Sequence, residues 1–595
     1  MVEKLFKRKP ALLLTLGSAA GFLIGGVVAW SLLQRRPTLV GMPSGAAIIP
    51  QEAVMTVSVS TDRGQWQQLR RFGTPASQAA FDKQLAQLRD RLLIANGMNY
   101  QRDIQPWVGS EITAAFLLPA IEANGQDKAI QPYNPDALTA AEQATVMVLP
   151  IADAGKAQQL LASPKVAATQ DWVDRDYKGV KIREVHGQTE KAYAAAVVDN
   201  QFVVVANDSK AVERVIDTAK GKPSVAQTPG YGQALNHITA ANPFMQLYVN
   251  IPVATALTAN NASQPIPPQV LAPLKSNQGL AATVSLESEG MRIQSVSWLA
   301  ANQKARFKVT NNAERMPLLL PSDALLVASG GNLKQLWQNY TQQPNDVPRL
   351  GFFDPETLRR GVNNLTGLDL DQDLIAWMTG EYALAVISSP AGNAANADKT
   401  TATKAGIVLL AQTSDRKAAE QTFKKLDELM KTRYRFQVSE TQVEGKPAIS
   451  WVSPFTALKV THGWLDGNVA YLAIGSDLAT TIVPAPDQPL VEHPLFRQTS
   501  STELNPNNGQ FFLEVDRLTN ANTNLPLPTL PPEQQVFLDA IRAIGITAAL
   551  QDGRTTRYDA HVLLRKGNAP GALPPPAPIN PPLPGSSETP TSPAQ

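Results

Sequence analysis

The chain has 595 residues, a length typical of about four ordinary domains or two unusually large ones. Hydrophobic residues make up 43% and charged residues 17%, so most of the chain has the composition of a folded protein and not of a disordered one. The net charge of +2 is too small to attract nucleic acid over long range. The absence of cysteine excludes disulfides, thiolate metal sites and cysteine nucleophiles.

An uncharged apolar segment near the N-terminus, residues 11–33, predicts a transmembrane helix long enough for a hydrocarbon core of about 30 Å. A cleaved signal peptide is the alternative, but the segment is longer than a usual signal core. Basic residues before the segment favour a cytoplasmic N-terminus. Gly17, Gly21 and Gly25 share one helix face and would allow close packing against a second helix.

Two long stretches of the body resemble each other. A proline-led strand that begins at Pro50 matches one that begins at Pro321, and Trp66 then falls on Trp337. A period of about 270 residues is far longer than a solenoid repeat, so it indicates two homologous domains. The predicted division is a cytoplasmic N-terminus (1–10), the transmembrane helix (11–33), a linker (34–48), a first domain (49–300), a connection (301–320), a second domain (321–567) and a Pro-rich disordered tail (568–595).

Each copy predicts an α+β fold. Alternating strands at residues 53–60 and 324–329 come first, and helices with one apolar stripe and β-rich runs separated by turn residues follow. We therefore expect two tandem homologous domains, each a mainly antiparallel sheet with helices packed on one face.

The sharpest local signal is an Asp, a Trp and a Glu at four-residue spacing, once in each copy: Asp103, Trp107 and Glu111, then Asp373, Trp377 and Glu381. We interpret the Asp as a helix cap, the Trp as a corner filler and the Glu as the start of a strand. The alternative is a carboxylate pair beside an aromatic wall, as in glycoside-cleaving enzymes. Because the structural interpretation accounts for every residue type, we predict no catalytic residue.

One acidic run suggests a metal site. Asp369, Asp371 and Asp373 have the spacing that opens a calcium loop. The sixth position is Leu374 and the twelfth is Gly380, where such a loop needs a turn glycine and a bidentate Glu. These aspartates are therefore weak metal candidates, and no cofactor is predicted.

The chain resembles the family of cyanobacterial membrane-anchored proteins described as domain of unknown function 3352. The resemblance is carried by the single N-terminal membrane helix, the proline-led strands and the repeated Asp-Trp-Glu block, and it covers about residues 40–567. It implies a photosynthetic bacterium, anchorage in the plasma or thylakoid membrane, and a soluble part in the periplasm or thylakoid lumen. It implies no active residues.

Three functions are open at this point. The favoured one is a non-enzymatic module that binds other membrane or envelope proteins, because this function needs no catalytic motif. The second is a carrier that holds a lipid or pigment in a sheet-lined cavity. The third is a carboxylate-dependent hydrolase. Nucleic acid is not an expected partner.

Overall fold

The computed structural model describes residues 41–93, 98–118, 144–162, 171–186, 193–255, 277–301, 311–341, 355–388, 405–456, 458–475, 477–519 and 531–576. The expected transmembrane segment and its three glycines lie outside these residues. Among the described residues, no helix combines the length and the apolar character that crossing a bilayer requires. Residues 41–301 are called the first half below, and residues 311–576 the second half.

The described residues form a mixed α+β fold built on one antiparallel 20-stranded sheet. The first half contributes β1 (Met55–Ser60), β2 (Glu111–Leu117), β3 (Ala144–Pro150), β4 (Asp171–Tyr177), β5 (Val180–His186), β6 (Ala194–Val198), β7 (Phe202–Ala206), β8 (Met245–Asn250), β9 (Asn277–Leu286) and β10 (Gly290–Leu299). The second half contributes β11 (Ala324–Gly330), β12 (Tyr382–Ser388), β13 (Ala405–Gln412), β14 (Gln437–Val443), β15 (Lys446–Val452), β16 (Lys459–Leu465), β17 (Val469–Ile474), β18 (Gly509–Glu514), β19 (Ile541–Leu550) and β20 (Thr555–Leu564).

The strands of the two halves follow the same order across the sheet. In the first half the order is β4-β5-β6-β7-β3-β2-β1-β8-β9-β10. In the second half it is β14-β15-β16-β17-β13-β12-β11-β18-β19-β20. Strand β10 pairs with β20, from Gly290 opposite Leu563 to Trp298 opposite Thr555. The two halves therefore share one continuous sheet.

Helices connect the strands. Those in the first half include α1 (Arg63–Leu69), α2 (Pro75–Leu92), α3 (Ala154–Ala162), α4 (Ser209–Ala219) and α5 (Tyr231–Leu235). Those in the second half include α6 (Leu333–Thr341), α7 (Pro355–Thr366), α8 (Arg416–Thr432), α9 (Pro494–Thr499), α10 (Val515–Leu518) and α11 (Pro532–Leu538). Side chains fix the helix starts: the Asp415 carboxylate, for example, accepts the backbone N–H of Ala418 at the start of α8.

Helices cover both faces of the sheet, so the prediction that they pack on one face is wrong. Val146 and Val148 of β3 lie in a core with α4. Met147 and Leu149 of the same strand lie on the opposite face, in a second core with Trp107 and α3. The physical reason is that β3 is apolar at consecutive positions, as in a strand buried on both faces, and each apolar face must be covered.

The cores also extend beyond the predicted domain boundaries. Ala46 is 1% exposed and packs in the first core, although it belongs to the predicted linker 34–48. Met316 is 0% exposed and packs in the second core, although it belongs to the predicted connection 301–320. Both segments end in a 3-10 helix, Ser44–Ala47 or Met316–Leu318, that lies against the sheet. These residues of the predicted linker and connection therefore belong to the packed cores.

The beginning of the predicted tail, 568–595, contacts the folded body. The backbone N–H of Asn568 donates to Gln78 Oε1 at 3.1 Å. Arg70 Nη2 donates to the backbone oxygen of Gly571 at 2.8 Å. These contacts place residues 568–571 against α1 and α2, and residues 577–595 lie outside the described part of the chain.

Candidate functional site

In the first half, the Asp-Trp-Glu block closes a π-helical turn, Tyr100–Ile104, and fixes the start of β2. Asp103 Oδ2 accepts the backbone N–H of Asn99 at 2.7 Å. Trp107 is 3% exposed and donates its indole N–H to the backbone oxygen of Asp103 at 2.7 Å. Glu111 Oε1 accepts the backbone N–H of Ser44 at 2.7 Å, which ties the first 3-10 helix to the sheet.

In the second half, the block has the same placement in a π-helical turn, Leu370–Ile375. Asp373 Oδ2 accepts the backbone N–H of Asp369 at 2.8 Å, and Glu381 Oε2 accepts that of Arg315 at 2.6 Å. Burial raises the pKa of the Glu381 carboxyl, and the backbone N–H groups that it accepts oppose this effect. Trp377 is 5% exposed, but its indole N–H has no partner among the described residues.

The four carboxylates of the two blocks therefore hold the backbone in place. Each Asp accepts the N–H of the residue four positions before it, and each Glu accepts an N–H at the start of a 3-10 helix. Backbone donors favour the charged form of a carboxylate, but at Glu381 burial outweighs them and raises the pKa. This geometry is that of capping and not of a general acid paired with a base.

The three aspartates of the weak metal candidate have different partners. Asp369 caps the π-helical turn. Asp371 pairs with Arg359, whose hydrogen bonds lower the pKa of this carboxyl, and Asp373 pairs with Lys425 at 2.6 Å, which lowers its pKa in turn. Within the described ranges, no cluster of three or more His, Asp or Glu side chains is arranged to hold a metal ion.

A buried charged cluster, not foreseen from the sequence, lies where the two halves join. Asp559 of β20 is 0% exposed and stands opposite Gln294 of β10. Arg292 Nε contacts Asp559 Oδ1 at 2.9 Å, and Arg292 Nη2 contacts Glu503 Oε1 at 2.7 Å. Arg557 Nη2 contacts Glu503 Oε2 at 2.5 Å. Arg292, Glu503, Arg557 and Asp559 are called the junction cluster.

The junction cluster pairs basic side chains with acidic ones. Burial tends to raise the pKa of Glu503, but the hydrogen bonds from Arg557, Arg292 and Thr239 outweigh burial and lower this pKa to about 2. The hydrogen bonds to Asp559 raise the pKa of Arg292. Two basic side chains therefore contact two acidic ones, and the cluster joins the first half to the second.

The second half carries a partly exposed apolar surface on one face of the sheet. Five adjacent strands, β18, β11, β12, β13 and β17, contribute two side chains each, and direct partners lie side by side. One row is Leu513, Leu326, Val386, Ile407 and Ile474, and the other is Phe511, Ala328, Leu384, Leu409 and Leu472. We call these residues the apolar sheet face.

The apolar sheet face is accessible to a partner. Leu384 and Ile407 are 43% and 40% exposed, and the other members are half-buried. Ala385 and Val408, whose side chains point to the opposite face of the same strands, are fully buried. With strands about 4.8 Å apart, the face is about 24 Å wide and covers on the order of 300 Å². Apolar patches of this size on monomers are often functional.

A pocket of about 410 Å³ opens in the first half. Its lining includes Glu52, Arg214, Thr218, Lys222 and Asn250. Arg214 Nη2 pairs with Glu52 Oε1 at 3.0 Å inside this lining. The lining also includes Pro223, Pro229 and Val253, so charged, polar and apolar side chains share it.

Comparison with known proteins gives one family match. A model of the family described as Protein of unknown function (DUF3352) matches residues 16–564. No curated protein matches the chain. Among solved structures, crystal forms III and I of TP0453 are similar to part of the chain, with 10% and 8% identity and TM-scores of 0.19 and 0.23. The matches cover 46% and 44% of this chain and 83% and 81% of the TP0453 chains.

Proposed function

The chain belongs to the DUF3352 family, whose description names no activity, and from this premise we propose that it is a membrane-anchored, non-enzymatic module that binds another membrane or envelope protein. The observation that carries the proposal is the apolar sheet face, with Leu384 and Ile407 the most exposed of its members. The capping geometry of the Asp-Trp-Glu blocks supports a non-enzymatic module.

The shape of the apolar sheet face favours a protein partner. A specific protein interface buries about 800 Å² on each side, with an apolar centre and a polar rim. The face, on the order of 300 Å², has the size of such a centre. A carrier of lipid or pigment instead needs a cavity that encloses most of its ligand, and the wall of the pocket in the first half contains the ion pair of Arg214 with Glu52.

The same proposal places the chain across a membrane. Residues 11–33 would cross the bilayer with the N-terminus in the cytoplasm, and the body would lie in the periplasm or thylakoid lumen of a photosynthetic bacterium. Since the chain has no cysteine, Ser288→Cys and Val2→Cys can each be labelled with a membrane-impermeant maleimide. Cysteine 288 should react from the outer or luminal side and cysteine 2 only after permeabilisation. The reverse pattern would contradict this topology.

We also propose that the two halves are homologous domains that arose by tandem duplication. The identical order of ten strands in each half supports this origin. The matching hydrogen bonds of the two Asp-Trp-Glu blocks support it as well. Superposition of the strands of one half on those of the other tests the proposal, because unrelated sheets would not align strand for strand with these blocks coincident.

The binding surface is tested by introducing charge into it. We expect a partner protein to co-purify at stoichiometric yield with the full-length wild-type chain from solubilised membranes. The double variant Leu384→Glu with Ile407→Glu should no longer co-purify with this partner. Val173→Glu is the matched control, because Val173 is also 43% exposed but lies on the edge strand β4. Circular dichroism melts of each variant verify that the fold is retained.

Two outcomes would overturn the proposed binding surface. If the partner were recovered in equal yield with the double variant and with the control, the apolar sheet face would not be the surface that binds it. A lipid or pigment extracted at stoichiometric yield, with no protein partner, would favour a carrier instead.

A further inference from the structure

One β-hairpin of the second half ends in an exposed apolar tip. Strands β15 and β16 are joined by residues 453–458, and Phe455 in this connection is 79% exposed. Val452 and Leu458 flank it and are 38% and 39% exposed. Single exposed apolar side chains are ordinary on a protein surface. We call these three residues at the end of one hairpin the hairpin tip; Val452 lies directly opposite Lys459, so Val452 and Leu458 place apolar side chains on the two faces of the tip.

The backbone N–H groups that the structure describes in the hairpin tip are hydrogen-bonded within the tip. Ser453 Oγ accepts the N–H groups of Phe455 at 3.3 Å and Thr456 at 3.2 Å. Thr456 Oγ1 accepts the N–H of Leu458 at 3.3 Å, and the Ser453 N–H donates to the Leu458 oxygen at 2.9 Å. An apolar medium offers no partner to a free N–H, so a loop with internally satisfied donors enters that medium at lower cost.

The charged residue after the tip suits the same environment. Lys459 is the first residue of β16, and its side chain is 37% exposed beside Asp477. Segments that lie at the boundary between lipid and water typically bury Phe or Leu and keep Lys on the polar side. The sequence thus places Phe455 farthest from the sheet and the first charge at the base of the tip.

From these observations we infer that the hairpin tip inserts into the surface of the lipid bilayer that anchors the chain. This inference rests on the proposed membrane anchor. Three side chains are too few for a stable protein interface, which buries about 800 Å² on each side. A tether changes this requirement, because it keeps the bilayer at high effective concentration and makes a weak second contact significant.

The absence of cysteine allows a direct test. Full-length Phe455→Cys is labelled with the environment-sensitive fluorophore NBD and reconstituted into vesicles of phosphatidylcholine and phosphatidylglycerol, some of which contain nitroxide lipids. The matched control is Val173→Cys, since Val173 is 43% exposed on β4, in the first half. The label at 455 should shift to the blue and lose at least half of its emission to the nitroxide lipids, whereas the label at 173 should change little.

Each possible result decides the question. Flotation of the labelled protein with vesicles tests the membrane anchor alone. A failure to float would contradict both the proposed anchor and the insertion of the tip. Flotation without nitroxide quenching at 455 would leave the anchor intact and overturn insertion of the tip. A blue shift without quenching would show that a protein surface covers the tip, which also overturns the inference.

Discussion

Replacement of Arg292 by leucine is expected to destabilise the junction between the two halves strongly. Asp559 is 0% exposed, and Arg292 holds its carboxylate through Nε–Oδ1 at 2.9 Å and Nη2–Oδ2 at 2.5 Å. Without Arg292, the buried charge would retain a hydrogen bond from Ser501 Oγ at 2.6 Å. Removing one partner of a buried ion pair costs about 3–5 kcal/mol, so we expect Arg292→Leu to lower the free energy of unfolding by about this amount.

Urea denaturation followed by tryptophan fluorescence measures this loss. The control is Arg183→Leu, because Arg183 and Asp174 form an ion pair at 2.8 Å whose side chains are 32% and 35% exposed. Partly exposed pairs contribute about 0–1 kcal/mol, so this variant should change stability little. The double variant Arg292→Leu with Asp559→Leu should recover much of the loss. Equal losses for the two arginine variants would refute the reasoning.

Three further predictions concern other side chains. The low pKa of Glu503 means that its stabilising contribution is present above its unfolded pKa of about 4.3 and disappears as the pH falls towards 2. Thermal melts of Glu503→Gln should therefore depend less on pH in this window than wild type. Trp107→Phe should lower the free energy of unfolding by about 1 kcal/mol more than Trp377→Phe, because only Trp107 loses an indole hydrogen bond. Calcium at millimolar concentration should leave the melting temperature unchanged, since Asp371 and Asp373 are already paired; a rise would contradict this.

Much of the local structure can be predicted from sequence. The alternating run at residues 53–60 contains β1, and the Asp-Trp-Glu spacing predicts the short helical turn that precedes β2 and β12. These signals are local, because a turn residue or a cap acts on neighbours within a few positions. The family resemblance, predicted over about residues 40–567, is confirmed by the family model that matches residues 16–564.

Pairing between distant strands is not encoded in a local pattern. Strand β10 ends at residue 299 and β20 begins at residue 555, and no turn or spacing rule connects them. Helices on both faces could have been predicted from residues 146–149, because four consecutive apolar positions indicate a strand that is buried on both sides. The prediction of helices on one face overlooked this signal.

The junction cluster shows why a buried site can be missed. Arg292 and Gln294 on β10, and Arg557 and Asp559 on β20, alternate with apolar residues, a pattern typical of a strand with one solvated face. The β10–β20 pairing brings these polar faces together, and Glu503 covers them. Their charges are satisfied by one another instead of by water.

The most direct test of the proposed function is the identity of what touches the apolar sheet face in native membranes. A photo-crosslinking amino acid placed at position 384, with position 173 as the equally exposed control, would record this contact before any purification. We predict one discrete protein adduct from position 384 and none of that size from position 173. Identical adducts from both positions, or only lipid adducts from position 384, would contradict the proposal.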